Sequence, residues 1–282
     1  MTSAEQSTSE TALNTEIQHE HTLYAEPIFT IGNFSVTNSL LNTLLVIFIV
    51  VAFGIFLKSK IKMIPGKLQN GIEMVIELLL DVFNSVTGSR EKTLKFFPII
   101  LSFFVFILLN NWLGLLPGVG SIGQVVLEHN EKIFVPFFRS GMADLNTTLA
   151  LALIGVVVSH IFGVLTIGFW KYLNKFINIK ALLDIPKNII KDPSILIINP
   201  IKVFVGLLEI IGELAKVASL TFRLFGNIFA GEVLVASMTA ILAFGLPVPF
   251  MFLEILVGLI QAFIFAMLIL TYLTMMTSAE EH

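Results

Sequence analysis

Five stretches of this chain, residues 39–57, 96–116, 145–170, 200–244 and 250–277, are dominated by apolar side chains with no two-residue alternation. Runs of this length match the roughly 20 apolar residues that a helix needs to cross the hydrocarbon core of a bilayer. Residues 65–88 follow a different pattern. Ile72, Val75, Ile76, Leu79, Leu80 and Phe83 recur at helical spacing, and Glu73, Glu77, Asp81 and Asn84 occupy the other side, which predicts an amphipathic helix lying in the membrane interface. Residues 117–144 read as a loop, mixed in charge and rich in Phe, with a short interfacial piece. The Pro-interrupted connection after Lys171 also reads as loop, and GLPVP at 245–249 reads as a turn. The first 27 residues hold five glutamates and no Lys or Arg, lack the basic-then-apolar order of a signal peptide, and read as a short disordered tail. The expectation is an all-α polytopic membrane protein with a polar extracytoplasmic tail at 1–38 and a membrane domain at 39–282. It has five spanning helices and one interfacial helix, and the last two spans are long enough to require strong tilt.

Composition supports this reading. Only 13% of residues are charged, and the mean hydropathy is +0.91. No cysteine is present, which excludes disulfide frameworks and thiolate metal sites. The 17 Lys and Arg are unevenly placed: seven lie in 58–95 and six in 171–202, against two in 117–143 and none in 245–249. Positive charge marks the cytoplasmic side, so the tail is expected outside and the carboxyl end inside, in keeping with an odd number of spans.

Against this apolar background a few polar residues stand out. Arg223 has no carboxylate within eight positions on either side. A guanidinium stays protonated in proteins, and its cost at membrane depth is about 2.5 to 17 kcal/mol. Glu209, Lys216 and Arg223 follow at intervals of seven and Asn227 lies one turn further on, which forms one polar stripe. On the last run Glu254, Gln261 and Tyr272, separated by seven and eleven, share another face. The charge-derived topology puts Glu209 near the inner face, Arg223 and Gln261 near mid-depth, and Glu232 and Glu254 towards the outside. Blander readings accompany these. Glu209, Glu213 and Lys216 can snorkel, Lys216 can pair with Glu213 or Glu209, and Arg223 can be a buried ion pair pinning two helices. His160, with no second His or Cys at metal spacing, reads as a packing histidine.

The string LTFRLFGNIFAGE at 220–232, followed by LIQAFIF at 259–265, resembles the a subunit of F-type ATP synthases. NWLGLLP at 111–117, ADLNTTL at 143–149 and Asn199-Pro200 extend the likeness over most of the chain. The resemblance implies a stator beside a ring of c subunits, each with a membrane-embedded carboxylate. It also implies two offset half-channels, a peripheral stalk of b subunits, a separate catalytic head, and a place in the bacterial plasma membrane. Carried onto this sequence, Arg223 is the charge separating the half-channels, with Asn227 and Gln261 as its polar neighbours. Glu232 and Glu254 belong to the outer half-channel, to which Asp144 and Asn146 contribute. Glu209 marks the inner one, with Glu213 a weaker candidate. No cofactor, metal or nucleic acid is implied, and the chain carries no Gly-rich Lys-Ser/Thr loop of its own, which leaves ATP chemistry to other subunits.

One departure concerns the pair at 232 and 254. Many relatives hold a glutamate and a histidine there, whereas both are glutamate here. Two acids facing one cavity are expected to share a proton, and the coupling ion can be a proton or sodium. The alternatives from other classes are a self-contained secondary transporter, in which Arg223 would bind an anionic substrate, and a membrane scaffold. The former is disfavoured by the absence of an internal hydropathy repeat, and the latter leaves the aligned polar stripes without a purpose.

Overall fold

The computed structural model describes residues 22–116, 118–128, 131–177, 195–242 and 245–278. The stretch 1–21 of the expected tail, the connection at 178–194 with Lys180, Lys187 and Lys191, and the expected end of the fourth run at Phe244 lie outside the described residues. The chain divides into two compact units, 1–70, 102–148 and 223–263 in the first and 71–101, 149–222 and 264–282 in the second.

The described elements are, in order, strands β1 (Pro27–Ile31) and β2 (Phe34–Thr37), helices α1 (Asn38–Lys60), α2 (Lys67–Thr87) and α3 (Arg90–Gly114), strands β3 (Gly123–Glu128) and β4 (Glu131–Pro136), and helices α4 (Leu145–Ile167), α5 (Phe169–Ile177), α6 (Ile195–Ile241) and α7 (Pro247–Thr277). Four of them, α1, α3, α4 and α7, are long and apolar enough to cross a membrane. Helix α6 runs for 47 residues, about 70 Å at 1.5 Å per residue.

In the first unit, β1 and β2 pair antiparallel through a turn at Gly32, whose φ of 63° favours a residue without a Cβ. The hairpin runs directly into α1. Thr37 caps that helix by accepting from the Leu40 backbone N–H at 3.3 Å, satisfying a donor that the first turn leaves open. Along α1 only Asn38, Ser39, Asn42 and Val46 are buried. Phe48, Val51, Phe53 and Ile55 face outward, an apolar surface suited to lipid. The antiparallel hairpin β3–β4 is tied to β1 by Gln124 Nε2, which donates to the Ile28 carbonyl at 2.8 Å. The tail and the 117–144 loop therefore each contain a strand pair, where an all-α chain was expected. Helices α3 and α7 meet in this unit: Asn111 Nδ2 donates to the Gly258 carbonyl at 3.2 Å and Trp112 Nε1 to that of Ile255 at 3.0 Å.

In the second unit α2 is amphipathic as expected, burying Leu79, Leu80 and Phe83 and exposing Glu73, Glu77 and Asp81. Val75, expected on the apolar face, is exposed. The helix ends at Gly88, whose φ is 65° and whose N–H returns to the Asn84 carbonyl at 2.9 Å, a left-handed stop that glycine reaches without strain. The third apolar run stops earlier than its composition predicts. Helix α4 ends at Ile167, Gly168 takes φ 92°, and Phe169 and Trp170 begin the separate helix α5. The expected turn at 245–249 is likewise shorter, because Pro247 and Pro249 lie in the first turn of α7, where a missing N–H costs nothing.

Candidate ion-translocation site

The first unit gathers most of the outer candidates. On α6, Arg223 and Asn227 lie one turn apart and both side chains are exposed on the chain's own surface. Asn227 Nδ2 donates to Gln261 Oε1 of α7 at 2.7 Å, and Gln261 is 3% exposed. The two polar stripes expected on these helices thus touch through an amide pair, the buried glutamine fixing the asparagine beside the arginine.

Further along the same helices Glu232 and Glu254 line one cavity of about 970 Å³, together with Glu26, Asn111, Arg139 and Ser140. Glu254 is 6% exposed. Its carboxylate lies against the backbone of Gly231, so closely that a Cβ there would fall 2.0 Å from Oε2. Glu232 does not stand as one of two bare acids. Arg139 Nε donates to both of its oxygens at 3.1 and 3.0 Å, and Nη2 to Oε2 at 3.0 Å. A fork of this kind holds the carboxylate in place and offsets its charge. Arg139 was missed in the sequence because it sits alone in a connecting loop, 93 residues from its partner. The one signal available was that Glu232 needs a cation and the 117–143 stretch offers only Lys132 and Arg139.

Asp144 and Asn146 do not join this cavity. The Asp144 carboxylate accepts from the Asn146 backbone N–H at 3.1 Å and from the Thr147 hydroxyl at 3.0 Å, which caps the start of α4. Asn146 is exposed.

The inner candidates fall in the second unit. Lys216 Nζ donates to Glu213 Oε1 at 2.6 Å, the pairing that the sequence left open. It also lies 5.0 Å over the Tyr272 ring, a cation–π arrangement. Glu213 Oε2 is 3.4 Å from His160 Nε2, and His160 Nδ1 is hydrogen-bonded to the Tyr172 hydroxyl. His160 is thus a satisfied histidine, placed between a tyrosine and a carboxylate. Burial, then the negative charges of Glu213 and Glu209, push the Tyr172 hydroxyl far above its ordinary range, so it stays protonated and donates. Gly163 makes room for this ring: a Cβ there would lie 2.6 Å from Tyr172 Cε2. Among the described residues, no group of three or more His, Cys, Asp or Glu side chains is arranged to hold a metal ion.

Carboxylates, amides and arginines set among apolar helices are groups that can exchange protons and compensate charge. A family model described as ATP synthase A chain matches residues 40–274. The chain is 33% identical over 253 residues to ATP synthase subunit a of Syntrophobacter fumaroxidans, covering 89% of each. It is 34% identical over 245 residues to that of Desulfotalea psychrophila, covering 83% of this chain and 82% of the relative. To the chloroplastic subunit a of Stigeoclonium helveticum it is 31% identical over 244 residues, covering 86% and 85%. The matched span runs from the first apolar helix to the last and takes in every candidate named above, so the chain belongs to the ATP synthase A chain family.

Proposed function

We propose that this chain, a non-catalytic subunit of the membrane sector of an F-type ATP synthase, provides two half-channels and the arginine that together couple ion flow to rotation of a c ring. The observation that carries the reading is the setting of Arg223. It is a permanent cation on an exposed face of α6, one turn from an asparagine that a buried glutamine of α7 holds by a 2.7 Å hydrogen bond. A rotor carboxylate passing that face would be stabilised in its ionised form, so its proton must leave before it passes. The same charge repels cations that would otherwise run from one half-channel to the other. Transport then requires the ring to turn.

In this reading α6 is a fifth span beside the four apolar ones, and α6 and α7, longer than a perpendicular crossing needs, lie tilted in the bilayer. Residues 39–282 form the membrane domain, with the amino end outside and the carboxyl end in the cytoplasm of a bacterial cell. The cavity lined by Glu26, Glu232 and Glu254 serves as the outer half-channel, and Asp144 acts as the cap of α4 rather than as a wall of it. Glu209 and the Glu213–Lys216–His160 group serve the inner one. Protons are the coupling ion that the carboxylates and histidine suit, and a sodium-coupled machine would use the same acids. The partners are the c ring, the b stalk and the catalytic head.

A stator subunit has half a path, whereas a secondary transporter has a whole one. Vesicles holding the purified chain alone should show no proton flux, and vesicles holding it with its ring should conduct. Substrate uptake or ion flux by the chain alone would make it a transporter.

A further inference from the structure

We infer that Arg139 is a positioning residue for ion translocation and that the segment it binds, residues 22–26, is a wall of the ion entrance rather than a free tail. The inference rests on the assignment of Glu232 and its cavity to the outer half-channel.

The Arg139 side chain is 4% exposed. A charge buried this far is destabilising unless its donors are met, and each of its three nitrogens is engaged. Nε and Nη2 form the fork on Glu232. Nη2 also donates to the Thr22 carbonyl at 2.9 Å, and Nη1 to the Tyr24 carbonyl at 3.2 Å and the Thr22 hydroxyl at 3.4 Å. The guanidinium carbon lies 6.0 Å from the Phe229 ring, three positions before Glu232 on α6. One planar group therefore joins α6 to the segment ahead of β1.

That segment has further fastenings of its own. The Leu145 backbone N–H reaches the Leu23 carbonyl at 3.5 Å, and that of Asn38 reaches the Glu26 carbonyl at 3.1 Å. The Glu26 N–H donates to Asn38 Oδ1 at 3.2 Å. Glu26 itself lines the cavity that holds Glu232 and Glu254. The arrangement has two consequences. The negative charge of Glu232 is fixed at one place in the cavity, with both oxygens committed to a cation that cannot give up its proton. Glu254 and Glu26 are the other carboxylates that line this cavity. The ion entrance is also narrowed by backbone that a free tail would not supply.

The test uses the complete complex in vesicles, with proton flux expressed per assembled complex. Arg139→Gln should lower flux roughly ten- to hundredfold, the scale of a misplaced functional group. It should also change the pH dependence of flux, because the cavity loses a fixed positive charge. Arg139→Lys keeps the charge and loses the fork, so it should restore the pH profile and only part of the rate; a role confined to folding would make Lys and Gln equally poor with an unchanged profile. Joining Arg139→Gln to Glu232→Gln should cost no more than Glu232→Gln alone. The chain has no native cysteine, so Tyr24→Cys can be labelled from outside with a membrane-impermeant thiol reagent, which should slow flux. Wild-type flux and pH profile in both Arg139 variants, or unchanged flux after complete labelling at position 24, would overturn the inference while leaving the half-channel standing. Unchanged flux in Glu232→Gln would instead remove the half-channel reading on which it rests.

Discussion

At the scale of single residues, the carboxylate of Glu254 depends on a missing atom. It occupies the space where a Cβ on residue 231 would stand, so Gly231→Ala must push it aside or bend α6. The expected outcome is a loss of about 1–3 kcal/mol in stability, as for other overpacked sites, with a larger proportional loss of proton flux. The shorter acid in Gly231→Ala/Glu254→Asp should recover part of the flux; wild-type flux in Gly231→Ala would show that the position of Glu254 is immaterial. Residues at this scale were unequally legible in the sequence. Arg223 could be found because a charge in an apolar helix stands out against its neighbours. Arg139 could not, because its importance comes from a partner 93 positions away, and nothing in a loop arginine announces that it is buried. Glu213 and Lys216 lie between these cases: their spacing of three allowed a pair, and the structure forms it, but the histidine and tyrosine that complete the group come from α4 and α5.

Among the elements, α6 and α7 carry most of the proposed site residues, and their contact through Asn227 and Gln261 can be tested chemically. In the cysteine-free chain, Asn227→Cys/Gln261→Cys should be joined in high yield by a short bifunctional thiol reagent within the assembled subunit. Failure to crosslink would place the two stripes on faces that do not meet. The long apolar helices were legible because twenty apolar residues in a row admit few other fates. Two kinds of feature were not: strands of four to six residues give too short a pattern to separate from loop, and the boundary after α4 depends on one glycine with φ 92° inside a run whose hydropathy continues past it. Prolines 247 and 249 were read as a turn because proline usually breaks helices, yet in the first turn of α7 it removes a donor that has no partner in any case. The two hairpins were hidden for a further reason, since their strands pair locally and carry no long alternating stripe.

At the scale of the whole molecule, each compact unit holds its own set of ionisable groups: Glu26, Arg139, Glu232 and Glu254 in the first, and His160, Tyr172, Glu213 and Lys216 in the second. Helices α2, α3, α4, α6 and α7 contribute residues to both units, and in α6 the first unit begins at Arg223. In the proposed function a proton crosses only on the moving carboxylate, and Arg223 is the fixed cation that enforces this. The proposed function makes the charge of Arg223, not its volume, the requirement. The decisive measurement is ATP synthesis driven by an imposed pH gradient in vesicles holding the assembled complex, compared for wild type, Arg223→Lys and Arg223→Ala. Synthesis should be abolished in Arg223→Ala although the complex assembles, and be poorly restored by Lys, whose compact ammonium can lose its proton when desolvated. Coupled synthesis at the wild-type rate in Arg223→Ala would contradict the account.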